Sequence, residues 1–181
     1  LELVLSDTRV ALVEEGFDMG VRIGVLRDSA LRVRKLADMP QITCASPAYL
    51  EARGRPPAPR DLPEYDCLLD GTREDAVMWR YKDNGDEATV RVNGRFRANA
   101  PAALARMAVA GLGIARCPAY SVAAHLDAGR LVELFADQRA DDYGLFALYP
   151  PNRHLTARMR ALIDHLAREF APGWALPAAP G

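Results

Sequence analysis

ANAPAALARMAVAGLGIARCP, Ala98 to Pro118, decides the reading of this chain, because a loop, a helix and a buried strand follow one another within it. Asn99 carries an amide oxygen able to accept from a backbone N–H one turn on, the behaviour of an N-cap. Pro101 falls in the first turn, where a missing N–H costs little. Leu104, Met107, Ala108 and Gly111 repeat at helical spacing, so one narrow face of small and flexible residues turns inward. Gly111 ends the helix, and Gly113, Ile114 and Ala115 continue as a short apolar strand stopped by Pro118. A helix entered from a strand presents its first N–H groups at the carboxyl edge of a sheet, where an anion is held without any basic side chain. The same pattern also serves a plain, well-capped core helix.

Working outward, LELVL at Leu1–Leu5 reads as a strand, Asp7 as the cap of a helix over Thr8–Glu15, and Gly16 as its end. Phe17, Met19, Val21 and Ile23 alternate through Phe17–Gly24, so the chain opens as a βαβ unit. Leu31–Leu36 and Gln41–Ala45 read as extended, parted by Pro40. Ser46 is a second N-cap, with Pro47 opening a short helix to about Arg53. Pro56, Pro57, Pro59 and Pro63 crowd into an irregular surface connection, and Asp66–Leu69 is a short strand. From Met78 to Ala98 the pattern is an antiparallel meander with turns at Asn84-Gly85 and Asn93-Gly94, since Asn-Gly between alternating segments signals a hairpin. Beyond Pro118 come a short helix over Tyr120–Leu126 ended by Gly129, and strands at Leu131–Leu134 and Gly144–Tyr149. Leu155, Met159, Leu162, Ile163, Leu166 and Phe170 mark an amphipathic helix with Thr156 as its cap. Such alternation predicts an α/β fold with a second lobe inserted in the first.

The chain has 181 residues, half of them apolar, enough for one good core or two small ones. With 23 Lys and Arg against 24 Asp and Glu, the net charge of −1 supplies no field to gather nucleic acid or a membrane surface. No apolar run approaches the roughly 20 residues of a membrane span. Cys44, Cys67 and Cys117 lack metal or redox spacing and read as small buried hydrophobes, which fits a reducing cytoplasm. His125, His154 and His165 lack acid or thiol partners at telling spacings, and no G-x-S-x-G, phosphate loop or H-E-x-x-H is present. An enzyme is therefore not expected, nor is a metal or other cofactor. The start at Leu1, within a strand-like run, reads as a fragment.

VALVEEGFDMGVRIG (Val10–Gly24), LRVRKLADMPQITCASPAYLEARGRP (Leu31–Pro56), AGLGIARCPAY (Ala110–Tyr120), GRLVEL (Gly129–Leu134) and ALYPPNRHLTARMRALIDHL (Ala147–Leu166) resemble the effector-binding region of LysR-type transcriptional regulators. The resemblance covers nearly the whole chain, in order and spacing. It implies two α/β lobes like a type 2 periplasmic binding protein, each a mixed sheet flanked by helices, joined by two crossing strands around a small-molecule cleft. Residues 1–42 and 150–172 would form lobe one, incomplete at its N-terminal end, residues 43–149 lobe two, and residues 173–181 a loose tail. The winged helix-turn-helix of the family would lie upstream, so DNA would be reached only through that missing domain.

Carried across one position at a time, the family's ligand-facing positions fall on Thr8, on Ile23 and Gly24 at a strand end, and on Ser46 at a helix start. They continue with Asp70 and Gly71 in a loop, then Ala98, Asn99 and Ala100, with Cys117 and Pro118 behind them. Thr8 and Ser46 read equally as helix caps. Ala100 departs from the acidic residue common there in the family. Hydroxyls, an amide and helix starts suit a small polar or anionic effector. The resemblance further implies a homodimer or homotetramer in the cytoplasm, with no membrane contact. A solute-binding receptor of a transporter, which shares the fold, is the alternative.

Overall fold

The computed structural model describes residues 1–6, 10–25, 30–73, 75–83, 85–140, 143–151 and 156–170. Two compact units emerge, a smaller one from Arg9–Pro40 and Asp141–Pro177 and a larger one around Gln41–Ala140, with which Leu1–Thr8 and Ala178–Gly181 are grouped.

The smaller unit holds a three-stranded antiparallel sheet in the order β1 (Gly20–Gly24), β10 (Gly144–Tyr149), β2 (Arg32–Asp38). β10 is central and nearly continuous in apolar residues, as a strand paired on both sides requires. Helix α4 (Ala157–Glu169) starts where Thr156 Oγ1 accepts from Met159 N at 3.2 Å. Its Ile163 packs with Leu36, Leu145 and Ala147.

The larger unit is a five-stranded sheet in the order β7 (Phe96–Ala98), β4 (Cys67–Asp70), β8 (Ile114–Pro118), β3 (Gln41–Ala45), β9 (Val132–Leu134). β7, β4 and β8 run parallel, whereas β3 runs antiparallel to both β8 and β9. One face carries Ile42, Cys44, Leu68, Ala115 and Cys117 and is covered from α2 (Pro101–Val109) by Leu104, Ala105 and Ala108, and from α3 (Ala119–Asp127) by Val122. The other carries Ala45, Cys67, Leu69, Ile114 and Leu134. It is covered by Tyr49 of α1 (Pro47–Arg53), by Leu62, and by Trp79 and Tyr81 of the hairpin β5 (Met78–Asp83) and β6 (Asp86–Arg91).

α2 ends as the glycine after it predicts. Gly111 adopts φ +78, its N–H donates to Ala108 O at 3.0 Å, and Leu112 N donates to Met107 O at 3.1 Å, a Schellman closure.

Several expectations are corrected. Leu1–Leu5 forms no strand, and Leu1, Leu3, Val4 and Leu5 are exposed, because an apolar run becomes a strand only where another strand completes its ladder. The predicted helix through Glu15 is, over its described residues, a turn in which Glu15 N donates to Ala11 O at 2.9 Å and Phe17 N to Leu12 O at 2.9 Å. Among the described residues the opening βαβ unit is therefore absent, and β1 pairs antiparallel with β10. β10, expected in lobe two, is the middle strand of the smaller unit. The proline-rich connection contributes to the core, since a 3-10 helix at Pro59–Glu64 buries Leu62 completely and Asp61 closes its start on Ala58 N at 3.0 Å.

The meander stops after one hairpin. β7 leaves β6 and joins β4 in parallel, so Asn93-Gly94 is not a hairpin turn. Instead Cys67 N donates to Asn93 O at 2.9 Å, and a Cβ on Gly94 would lie 1.9 Å from Cys67 O. The glycine is needed for close backbone approach. The Asn84 half of the other turn, the Asp7 cap and the tail from residue 171 lie outside the described residues.

Candidate functional site

Three parallel strands end together at one edge of the larger sheet, and this edge collects most of the expected site. Asp70 pairs with Ala98 across β4 and β7, and Gly71 N donates to Ala98 O at 2.7 Å. Asp70 Oδ1 accepts from both Thr72 N at 2.9 Å and Thr72 Oγ1 at 2.6 Å, which sets the loop that turns away from β4. Ala98 leads through Asn99 and Ala100 into α2. The N-cap is Ala100, not Asn99, with extended backbone and no side-chain cap bond, so the exposed Asn99 amide stands one residue ahead of the cap. Cys117 faces α2, its thiol donating weakly to Pro101 O at 3.9 Å, and the buried Pro118 follows at the end of β8.

Asp70, Gly71, Ala98, Asn99, Ala100, Cys117 and Pro118 thus share one sheet edge. Ser46 does not. β3 runs antiparallel to β8, so its first residue, Gln41, lies opposite Pro118, and its last, Ala45, lies past Ala115 toward the start of β8. Ser46 therefore sits at the other end of the sheet, 3% exposed, with Oγ accepting from Tyr49 N at 3.3 Å. Its hydroxyl is the cap of α1, the role that the sequence reading allowed beside ligand contact. Ile23 and Gly24 end β1 in the smaller unit, where Ile23 packs partly against the core and Gly24 pairs with Gly144. Thr8 lies outside the described residues.

Residues that sequence reasoning passed over occupy the same edge on the hairpin side. Thr43 and Tyr81 share a buried hydrogen bond at 2.9 Å, and the guanidinium of Arg116 stands 5.5 Å from the centroid of the Tyr81 ring. Arg116 is only 8% exposed and pairs with Thr43 in the β3–β8 register. Gln41, two residues earlier on β3, is 6% exposed, and its Nε2 meets no acceptor. Phe135 closes on the Tyr81 ring edge-on, with centroids 5.8 Å apart. The signal for this cluster was Arg116 itself, a lone cation inside the otherwise apolar run Ile114–Pro118.

The three thiols are buried and form no disulfide. Burial pushes Cys67 and Cys117 up to about 12 and Cys44 up as well, so all three stay protonated at neutral pH. Burial likewise raises the Tyr81 phenol. Among the described residues no group of His, Cys, Asp and Glu is arranged to hold a metal ion. No helix of the described residues is long and apolar enough to cross a membrane.

Two units of mixed α and β structure, the larger with the ends of three parallel strands and the start of α2 at one edge of its sheet, place the chain in the α/β class. Residues 1–171 match the LysR substrate binding domain, and the chain belongs to that family. It is 35% identical over 175 residues to the HTH-type transcriptional regulator PtxR of Pseudomonas aeruginosa, covering 93% of this chain and 55% of PtxR. It is 32% identical over 159 residues to the HTH-type transcriptional activator AaeR of Escherichia coli, covering 88% of this chain and 52% of AaeR. The chain thus spans about half the length of the curated relatives it matches. Among solved structures, the regulatory domain of CrgA from Neisseria meningitidis superposes with a TM-score of 0.74 at 28% identity, covering 88% of this chain and 78% of that one. The full-length Vibrio cholerae virulence activator AphB gives 0.76 at 25% identity, covering 94% and 58%. These relatives are transcriptional regulators, which does not favour the transport-receptor alternative.

Proposed function

We propose that the chain is the effector-sensing domain of a LysR-type transcriptional regulator, working in the cytoplasm within a longer protein whose DNA-binding domain precedes it. The observation that carries the reading is the family match over residues 1–171, joined to the convergence of Asp70, Ala98 and Cys117 at one sheet edge ahead of α2. A small polar or anionic metabolite binds at this edge, with Asn99 and the backbone around Gly71, Ala98 and Ala100 supplying hydrogen bonds. The ligand acts by favouring one arrangement of a homodimer or homotetramer, since only differential affinity moves such an equilibrium. The chain performs no catalysis in this reading.

Thermal-shift screening of small acids and phenolics against the wild-type chain and Asn99→Ala tests the proposal. A ligand of this edge stabilises the wild type and loses most of that effect in Asn99→Ala. Equal stabilisation of both by every hit would remove the site from this edge.

A further inference from the structure

Arg97 is a cation that the packing of the larger unit leaves unused. It is the middle residue of β7 and faces Leu69 of β4 in the parallel register, so it lies on the hairpin face of the sheet, where Leu69 packs. Ala98, which pairs with Asp70, lies on the α2 face. The Asp70 carboxylate, already accepting from Thr72 N and Thr72 Oγ1, thus stands on the other side of the sheet from Arg97. Among the described residues the exposed Arg97 guanidinium makes no hydrogen bond and no ion pair. Its stem is nevertheless packed. A Cβ on Gly71 would lie 3.0 Å from Arg97 Cγ and 3.3 Å from Ala98 O, and Gly71 N donates to Ala98 O at 2.7 Å. Gly71 has no positive φ, so what the missing side chain provides is room for the arginine stem at the end of β4. An arginine with a packed stem and a free head is preorganised, since an anion meets a charge already in place and little side-chain freedom is lost. Asn99, two residues on, is also exposed and carries an amide that no described residue engages. A guanidinium's planar donors match a carboxylate, and the bonds are charge-assisted, whereas an uncharged amide of the same shape gains nothing from the charge.

We infer that Arg97 makes this sheet edge select a carboxylate over its uncharged isostere, while Asn99 supplies a hydrogen bond to either. The inference rests on the effector-binding reading of the same edge, to which it adds the charge of the ligand and the residue that reads it. Because Arg97 is open to solvent, a ligand reaches it without entering the core, and the selection is modest and sensitive to salt. Arg97 is not among the positions carried over from the family resemblance.

Benzoate, succinate and pyruvate, each titrated calorimetrically against its own amide (benzamide, succinamide, pyruvamide), test the selection on the 181-residue chain. At least one carboxylate binds the wild type more tightly than its amide, by about three- to tenfold, the range of a charge contact open to solvent. Raising the salt from about 0.05 M to about 0.5 M narrows that gap. Arg97→Gln brings the carboxylate down to the affinity of its amide, whose own binding is unchanged, and Arg97→Lys keeps most of the preference. Arg60→Gln, which removes an equal charge from the exposed side of the 3-10 helix at Pro59–Glu64, keeps all of it. Without ligand, Arg97→Gln melts with the wild type, because the guanidinium holds nothing in the fold. Amides that bind the wild type as tightly as the carboxylates, a preference that survives Arg97→Gln, or one lost equally in Arg60→Gln would each overturn the selection. The effector reading would still stand if Asn99→Ala weakened the same ligands, and would fall with the selection if it did not. Binding of none of the six compounds would overturn both. A lower melting temperature for unliganded Arg97→Gln would show the charge to be structural, and would overturn the inference whatever the titrations gave.

Discussion

The hydroxyls of Thr43 and Tyr81 lie 2.9 Å apart in the interior, tying the central strand β3 to a hairpin that shares no ladder with its sheet. Removing the phenol leaves the Thr43 hydroxyl without its buried partner and loosens the ring beneath Arg116. Tyr81→Phe is expected to cost about 1–3 kcal/mol, the price of one unsatisfied buried polar group. Urea unfolding gives the stability, and the paired variant Thr43→Val with Tyr81→Phe should recover part of the loss, as both partners then become apolar.

Ser46 and Asn99 open two different helices and should behave differently. Ser46→Ala removes a cap and is expected to cost about 1 kcal/mol of stability while leaving effector binding at wild-type affinity. Asn99→Ala removes no cap, since Ala100 holds that position, so stability should change by less than about 0.5 kcal/mol while ligand stabilisation falls. Melting curves of both variants with and without a bound acid check the contrast.

Gly94 faces the backbone of Cys67 too closely for any side chain. Gly94→Ala would bring a methyl group within 1.9 Å of Cys67 O, and β7 would have to move away from β4. A loss of at least about 2 kcal/mol is expected in equilibrium unfolding.

The buried thiols make stability fall in alkali. Unfolded cysteines ionise near pH 9, whereas Cys67 and Cys117 in the folded chain are pushed up to about 12, so the folded state keeps protons that the unfolded state releases. Their contribution is whole below about pH 9 and is lost as pH rises toward about 12, by up to about 1.4 kcal/mol per pH unit for each thiol. Urea midpoints at pH 8, 9 and 10 should decline, and Cys67→Ala should flatten the decline.

Local signals in the chain were reliable where the physics is local. Ser46 with Pro47, Thr156 ahead of α4, and the small face of α2 closed by Gly111 are all read from a few neighbouring residues, and the structure has them in place. The misread strands and turns share one cause, which is pairing between distant segments, whereas the cap of α2, read at Asn99, falls one residue later at Ala100. Asn93-Gly94 is spelled like a hairpin turn, yet its glycine answers to Cys67, and GLFALY is spelled like any buried strand, yet it lies between β1 and β2. The edge bearing Asp70, Ala98 and Cys117 came from the family resemblance and its geometry from strand register; Gln41 and Arg116 entered only through that register.

By itself, then, the sequence determined the caps at Ser46 and Thr156, the glycine that ends α2, the burial of its three cysteines and the family to which the chain is similar. Each of these depends on side-chain chemistry within a turn or two, or on residue patterns held along the chain. Tertiary structure alone decided which strands are neighbours, that Ser46 and Asn99 occupy opposite ends of one sheet, and that an amide on β3 and a guanidinium on β8 share a face. Strand order and register are set by the packing of whole layers against one another, and no short stretch of residues encodes them.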